Sequence, residues 1–219
     1  DTKNHTIRKI DVNGTVSTIA GTGKAGFNNG MNTMSMFDHP RALALGANGD
    51  IYISDRSNQR IRKLDNALSV STLVGNGTAG YANGKGSAAK LNFPTGLVVM
   101  SNSLLAVADS YNHAIRAIDS GWLMAWVGDP TNSGSVDGDS KTAKIYMPGG
   151  LAEAPNGDLI FTEPNKNKVR RVTKSTKAVS TIAGGINGFV NGKGTAAKFK
   201  EPLGVAVNAK GEIYVADHK

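Results

Sequence analysis

The stretch VADSYNHAIRAID, residues 107–119, sets an aspartate, an Asn-His pair and an arginine among apolar residues. Alone, it has the composition of a fragment of a catalytic site. The chain repeats the phrase with small changes, however. Asp1-Thr-Lys-Asn-His-Thr-Ile-Arg-Lys-Ile opens the sequence, Asp55-Arg-Ser-Asn-Gln-Arg-Ile-Arg-Lys-Leu follows, and Glu163-Pro-Asn-Lys-Asn-Lys-Val-Arg-Arg-Val comes later. Pro40, Pro94, Pro148 and Pro202 stand 54 residues apart, as do Arg8, Arg62, Arg116 and Arg170. Asp1, Asp55, Asp109, Glu163 and Asp217 keep the same step. A constant period across several landmarks is an internal repeat, and it governs the reading of every other feature.

One period reads as four short strands. Arg41-Ala-Leu-Ala-Leu leads through Asn48-Gly49 into Asp50-Ile-Tyr-Ile-Ser, and Asn-Gly between apolar runs predicts a two-residue type I′ hairpin. Gln59-Arg-Ile-Arg-Lys-Leu is the third strand. Val70-Ser-Thr-Leu-Val is the fourth, echoed by Val16-Ser-Thr-Ile-Ala and Val179-Ser-Thr-Ile-Ala. Helical periodicity is confined to short stretches such as Ser87 to Leu91. Antiparallel four-stranded units at this period predict an all-β chain, a β-propeller whose blades bury their faces against one another. The expectation is a single domain over 1–219. Strands in 1–20 complete a blade, repeats run over about 40–75, 94–128 and 148–184, and the first two strands of the closing blade occupy 202–219.

The phrases PTGLVV…LAVADSYNHAIRAID and VSTLVGNGTAGYANGKGSAAKLNFP resemble the NHL repeat in content and order. The third copy departs most, with Glu163-Pro164 in place of Asp plus a small residue and Lys166 in place of the turn Asn. NHL propellers are commonly six-bladed, whereas this sequence holds four repeats. Four periods of 54 give 216, so His218-Lys219 falls in register with Thr2-Lys3. Such ends suit a closed four-blade ring, a part of a larger propeller, or two chains completing one ring.

Composition agrees with a globular, turn-rich chain. It has 219 residues, 27 Gly, 7 Pro and 19% charged residues. No apolar run reaches the roughly 18 residues of a membrane span. Absence of cysteine removes disulfides and thiolate metal sites from consideration. With no initiator Met and no signal-peptide pattern, a processed form or a fragment is expected. Asn4, Asn13 and Asn76 each begin an N-glycosylation pattern.

The repeated acids and arginines have a structural explanation. Alternation puts Arg116 on the side of Ile118 and Arg62 on the side of Leu64, and an arginine there needs a partner. The acid seven residues earlier supplies one, so Asp55–Arg62, Asp109–Arg116 and Glu163–Arg170 are expected to form a lattice, with Arg8 and Asp217 as its outlying members. Asp137-Gly-Asp139 invites a calcium loop, but Asp137 aligns with Asn29, Asn83 and Asn191, which marks it as a turn residue. GTGKAG (21–26) and GNGTAG (75–80) superficially resemble phosphate loops, yet neither has the Gly-Lys-Ser/Thr ending. The innermost strands carry Glu153 alone among ionisable residues, too little for a channel acid–base pair or metal. No catalytic residue, metal or cofactor is therefore assigned.

The net charge of +8 concentrates in loops. Lys24, Lys85, Lys90, Lys141, Lys144, Lys193, Lys198 and Lys200 fall in blade-to-blade segments, and Arg60, His113 and Lys168 near them. Phe27, Tyr81 and Phe189 share one register and are expected to anchor these loops. The leading expectation is a non-catalytic scaffold that binds a macromolecule, protein above all, through this long-loop face. RNA binding there is the alternative, which the NHL resemblance also allows. A channel-site hydrolase or lyase, as in metal-dependent propeller lactonases and lyases, is third.

Overall fold

Alternating β-branched and apolar runs, broken by Gly-containing turns, fold back on themselves as successive antiparallel hairpins. In the computed structural model, which describes residues 1–218, every helix is a single 3-10 turn and the remaining elements are strands. No helix among these residues is long and apolar enough to cross a membrane. Contacts gather the chain into two compact units, Asp1–Pro94 with Ser120–Leu123, and Thr95–Asp119 with Met124–Lys219.

In the first unit, Ile7–Ile10 pairs with Val16–Ala20 as a two-stranded sheet. Pro40–Leu45, Ile51–Asp55, Arg60–Leu64 and Ser69–Val74 lie side by side in chain order. The loop before them adds a fifth, two-residue strand, Gly30–Met31, against the outer edge. Ile7, Ala20, Phe37, Ile53, Leu64 and Val70 form its core. A fully buried side chain of this size contributes about 1.5–3 kcal/mol. The second unit repeats the scheme. Leu151–Glu153, Leu159–Glu163, Lys168–Val172 and Val179–Gly184 make one sheet, and Pro202–Val207 pairs with Ile213–Asp217. Leu105–Asp109 and Ala114–Asp119 form the centre of the remaining sheet, paired in the same antiparallel register. The core of this unit includes Ala106, Ile115, Val127, Ile145, Leu159, Phe161 and Val172.

Two sequence expectations need correction. The Asn48-Gly49 hairpin is not a type I′ turn, because only Gly49 takes a positive φ, 89°. Gly46 N donates to Asp50 O at 2.8 Å and Gly49 N to Gly46 O at 3.0 Å, a longer loop with one left-handed glycine. Asn48 is held instead through its side chain, which bonds Asp50 at 2.8 Å, so its backbone need not adopt positive φ. The Asn156-Gly157 loop is built the same way. The other correction concerns the ends: Ile7–Ala20 and Pro202–Asp217 each stay a two-stranded sheet, and no sheet closes among the described residues. Lys219, one of the three residues of overlap expected from the period, lies outside those residues.

Candidate functional site

In three of the third strands, Arg60–Leu64, Ala114–Asp119 and Lys168–Val172, the repeat arginine is fully buried and has no route to water. Arg62 and Asp55 are both fully buried and meet at 2.7 Å. Arg116 meets Asp109 at 2.9 Å and Arg170 meets Glu163 at 2.8 Å, all four fully buried. The guanidinium of Arg62 also donates to Met36 O, Asn28 O and Asn29 Oδ1, which pins the preceding loop. Arg170 does the same to Lys144 O, Val136 O and Asp137 Oδ1. Asp137 additionally accepts from Thr181 N and Oγ1, so its carboxylate is a loop clasp at the register where Asn29 does the same work. The carboxylates reach across to the loop as well: Asp38 N donates to Asp55 and Tyr146 N to Glu163, both at 2.8 Å. The outlying members differ. Arg8 and Asp1 are 3.9 Å apart and exposed, and Asp217 accepts from Lys200 N at 2.7 Å.

The third repeat shows how its departures are absorbed. In the first two, a turn asparagine donates to Oδ2 of its own repeat's acid, Asn58 to Asp55 at 2.9 Å and Asn112 to Asp109 at 2.8 Å. Lys166 takes that position here, and the longer Glu163 reaches Ser135 Oγ instead. Ser135 occupies the register of Phe27, Tyr81 and Phe189, so three departures compensate one another.

A second repeated contact was not legible from the sequence. His5, Gln59, His113 and Asn167 share one register and all take φ of 52–54°. Each side chain accepts a hydrogen bond from the backbone N–H of the residue before the repeat proline, 34 positions on. The distances are 3.2 Å for His5–His39, 2.6 Å for Gln59–Phe93, 3.2 Å for His113–Met147 and 3.1 Å for Asn167–Glu201. His113, expected on the binding face, is thus a structural acceptor.

The NHL repeat model matches residues 37–64, 91–118 and 199–219. The first two matches start one period apart, and the third starts two periods later. This is an NHL-repeat chain. The NHL repeat-containing protein 2 of Homo sapiens is 29% identical over 253 residues, covering 99% of this chain and 35% of that protein. The Arabidopsis thaliana protein SUPPRESSOR OF QUENCHING 1, chloroplastic, is 40% identical over 97 residues, 44% of this chain and 9% of that one. The chain therefore spans about a third or less of these curated relatives. Among solved structures, a Bacteroides thetaiotaomicron protein of unknown function superposes with a TM-score of 0.76 at 18% identity, covering 98% of this chain and 51% of that one. Virginiamycin B lyase from Staphylococcus aureus superposes with a TM-score of 0.62 at 14% identity, covering 99% and 57%. At such identities the likeness is one of propeller fold.

The NHL frame sorts the basic residues. Lys24, Lys85, Lys141, Lys193 and Lys200 are exposed. The first four form no ion pair among the described residues. Lys90, Lys144 and Lys198 are half-buried, at one register. A Cβ at Gly80, Gly134 or Gly188 would lie 3.2, 3.1 and 3.1 Å from their Cδ atoms, so their stems lie along the loop backbone and only the ammonium heads reach water. Met36 fills this register in the first repeat. Arg60 is tied down too, donating to Asn58 O and Asn76 O and lying 3.7 Å above the Phe27 ring. Lys168 donates to Ser135 O at 3.3 Å. Phe27 therefore anchors its loop. Phe189, at the same register, is 86% exposed.

The inner-strand Glu153 is occupied by Ser101, whose N and Oγ donate to it at 2.7 and 2.8 Å. A cleft of about 590 Å³ lies between the hairpins around Asn156 and Gly211 and is lined by Asp158, Arg171, Ile182 and Ile213. It holds no paired carboxylates and no histidine.

His113 gives a pH prediction. Burial lowers its pKa from the ordinary 6.5, and its Nδ1 must stay unprotonated to accept from Met147. The unfolded chain therefore takes up a proton first as pH falls, and stability drops below about pH 6.5. His113→Gln, which copies Gln59, is expected to flatten the dependence of urea-melt stability on pH in that window. An unchanged pH profile would show that His113 does not titrate against folding.

Proposed function

We propose that the chain is a non-catalytic scaffold that binds a protein through its blade-to-blade loops. One observation carries this reading: Ile186, Phe189 and Val190 are 58, 86 and 47% exposed in a single loop, beside the exposed Lys193. These apolar groups are exposed together, and loops on a rigid frame are where recognition resides. Arg62 and Arg170 hold two of the loops at fixed points. The Phe189 loop is held through its backbone, with Gly188 N donating to Phe199 O and Lys198 N to Val190 O, so a partner would meet a preorganised surface. Lys193 beside the apolar tip fits a partner with an acidic rim. RNA is the second reading, favoured by Lys24, Lys85, Lys141 and Lys193. Against it, Arg60 covers Phe27, which removes that ring from base stacking. An enzymatic role, as the name virginiamycin B lyase states for that protein, is the third. The architecture in this proposal is one propeller domain over 1–219, whether closed by this chain or part of a larger ring.

The test compares two variants against the partner that the parent chain binds best. Phe189→Ser is expected to weaken a protein complex at least tenfold while stability stays within about 0.5 kcal/mol. Reversing Lys24, Lys85, Lys141 and Lys193 to Glu is expected to slow association and to matter less at high salt. If RNA is the ligand, Phe189→Ser has little effect, and each lysine removed flattens log affinity against log salt by roughly 0.7–0.9. Retention of every interaction by both variants would overturn the loop-face reading.

A further inference from the structure

We infer that His5, Asp38 and His39 form a binding site for one divalent transition-metal ion of the zinc type. The three side chains offer donor atoms within 4.8 Å of one another. Asp38 Oδ1 lies 2.6 Å from His39 Nδ1 and 3.8 Å from His5 Nδ1. The two imidazoles meet edge to face, with centroids 4.8 Å apart.

Their backbone is fixed by the repeat architecture. Asp38 N donates to the buried carboxylate of Asp55 at 2.8 Å, and Ser57 N donates to Asp38 O at 3.0 Å. Thr2 Oγ1 donates to Pro40 O at 2.8 Å, which ties the turn carrying His5 to the strand that follows His39. A site on such a frame loses little entropy when it takes a ligand. It also stays open to ions, because the side chains of His5, Asp38 and His39 are 13, 29 and 49% exposed.

The cluster is singular in a chain that otherwise repeats itself. Equivalent positions hold Gln59, Asn92 and Phe93 one period on, His113, Tyr146 and Met147 two periods on, and Asn167, Lys200 and Glu201 three periods on. The backbone contact at this register needs only a side-chain acceptor, which glutamine and asparagine also provide. Two imidazoles and a carboxylate therefore exceed what folding requires.

The donor set defines the ligand. Calcium and magnesium take oxygen ligands, whereas two imidazoles plus one carboxylate suit zinc-like ions and leave a position for water. At bond lengths of 2.0–2.1 Å, tetrahedral ligand atoms sit about 3.3 Å apart. The present 2.6 Å contact opens and the 3.8 Å one closes, each by well under the reach of a side-chain rotation. The ion replaces the proton between Asp38 and His39, and it takes the His5 Nδ1 lone pair from the exposed His39 N–H. A Ser57–His39–Asp38 nucleophile relay is not built here. Ser57 Oγ and Asp38 both face Nδ1 of His39, at 3.4 and 2.6 Å, whereas a relay needs both ring nitrogens.

The experiment titrates Zn²⁺ into the untagged, chelator-treated full chain by calorimetry, with Co²⁺ absorption as the spectroscopic probe. The variants His5→Gln, Asp38→Asn and His39→Phe each copy the residue one period on, so the fold already accommodates them. The expected result is one ion per chain, with affinity falling at least tenfold in each variant. His113→Gln is expected to bind as the parent does. Saturating Zn²⁺ is expected to raise the melting temperature of the parent but not of the triple variant. Equal affinity in parent and triple variant, or no one-to-one binding below millimolar Zn²⁺, would overturn the site.

Discussion

Replacing Arg116 with alanine is expected to lower folding stability by about 3–5 kcal/mol, because it leaves a carboxylate without its cation in a fully buried place. Asp109 and Arg116 meet at 2.9 Å with no exposure on either side chain, and the guanidinium also donates to Met124 O. The equivalent pair in the first unit shows the balance of forces. Desolvation pushes the Asp55 carboxyl above its ordinary pKa and the Arg62 guanidinium below its own, against their mutual attraction and hydrogen bonds. Such a pair adds little net stability, yet half of it is costly to keep. Asp109→Leu with Arg116→Met is therefore expected to lose less than Arg116→Ala alone. Arg8→Ala, whose pair is exposed at 3.9 Å, is expected to cost no more than about 1 kcal/mol. Urea melts of the four proteins give these differences directly. Small, equal losses in Arg116→Ala and Arg8→Ala would mean that the buried lattice is hydrated in solution.

The lattice was legible because two regularities meet in it. Strand alternation fixes which face Arg62, Arg116 and Arg170 occupy, and the seven-residue spacing brings the preceding acid opposite. The strands themselves followed from the same period. Contacts that cross a loop were not legible. His5 reaches His39 across 34 positions, and no local pattern encodes that approach. Repeat-wise comparison carries the trace of it, since His5, Gln59, His113 and Asn167 are all acceptors and all precede a strand. The basic face was overdrawn for a related reason. Charge can be counted in a sequence, but the path of a lysine stem cannot, and Lys90, Lys144 and Lys198 run along glycine backbone before reaching water. Phe27 anchors its loop through Arg60, 33 positions on, a separation that no local pattern encodes either.

Gly150→Ala is expected to cost about 1–3 kcal/mol through overpacking alone. Its φ is not in the left-handed region, so alanine meets no backbone strain there. A Cβ would instead lie 2.6 Å from Leu203 O, 3.1 Å from Val205 N and 3.2 Å from Gly204 Cα, all backbone atoms. Gly150 N donates to Leu203 O at 3.0 Å, so the two inner strands touch main chain to main chain. A flexible side chain could turn aside, but a hydrogen-bonded strand must move as a whole. The first repeat holds Ala42 at this register, where the N–H donates to Ser54 Oγ at 2.8 Å as Gly150 N does to Thr162 Oγ1 at 2.9 Å, and the added bond to Leu203 O belongs to Gly150. Gly211 is the control, with φ of 84° and nothing within 4 Å of a Cβ. Alanine at Gly211 costs about 1–2 kcal/mol by conformation only, and asparagine, which tolerates the left-handed region, should recover part of it. Asparagine at Gly150 should be worse than alanine, since it adds bulk where space is the constraint. Thermal melts of the four variants separate the two causes. Recovery by asparagine at both sites would show that Gly150 is kept for its backbone freedom and that the inner strands have room to part.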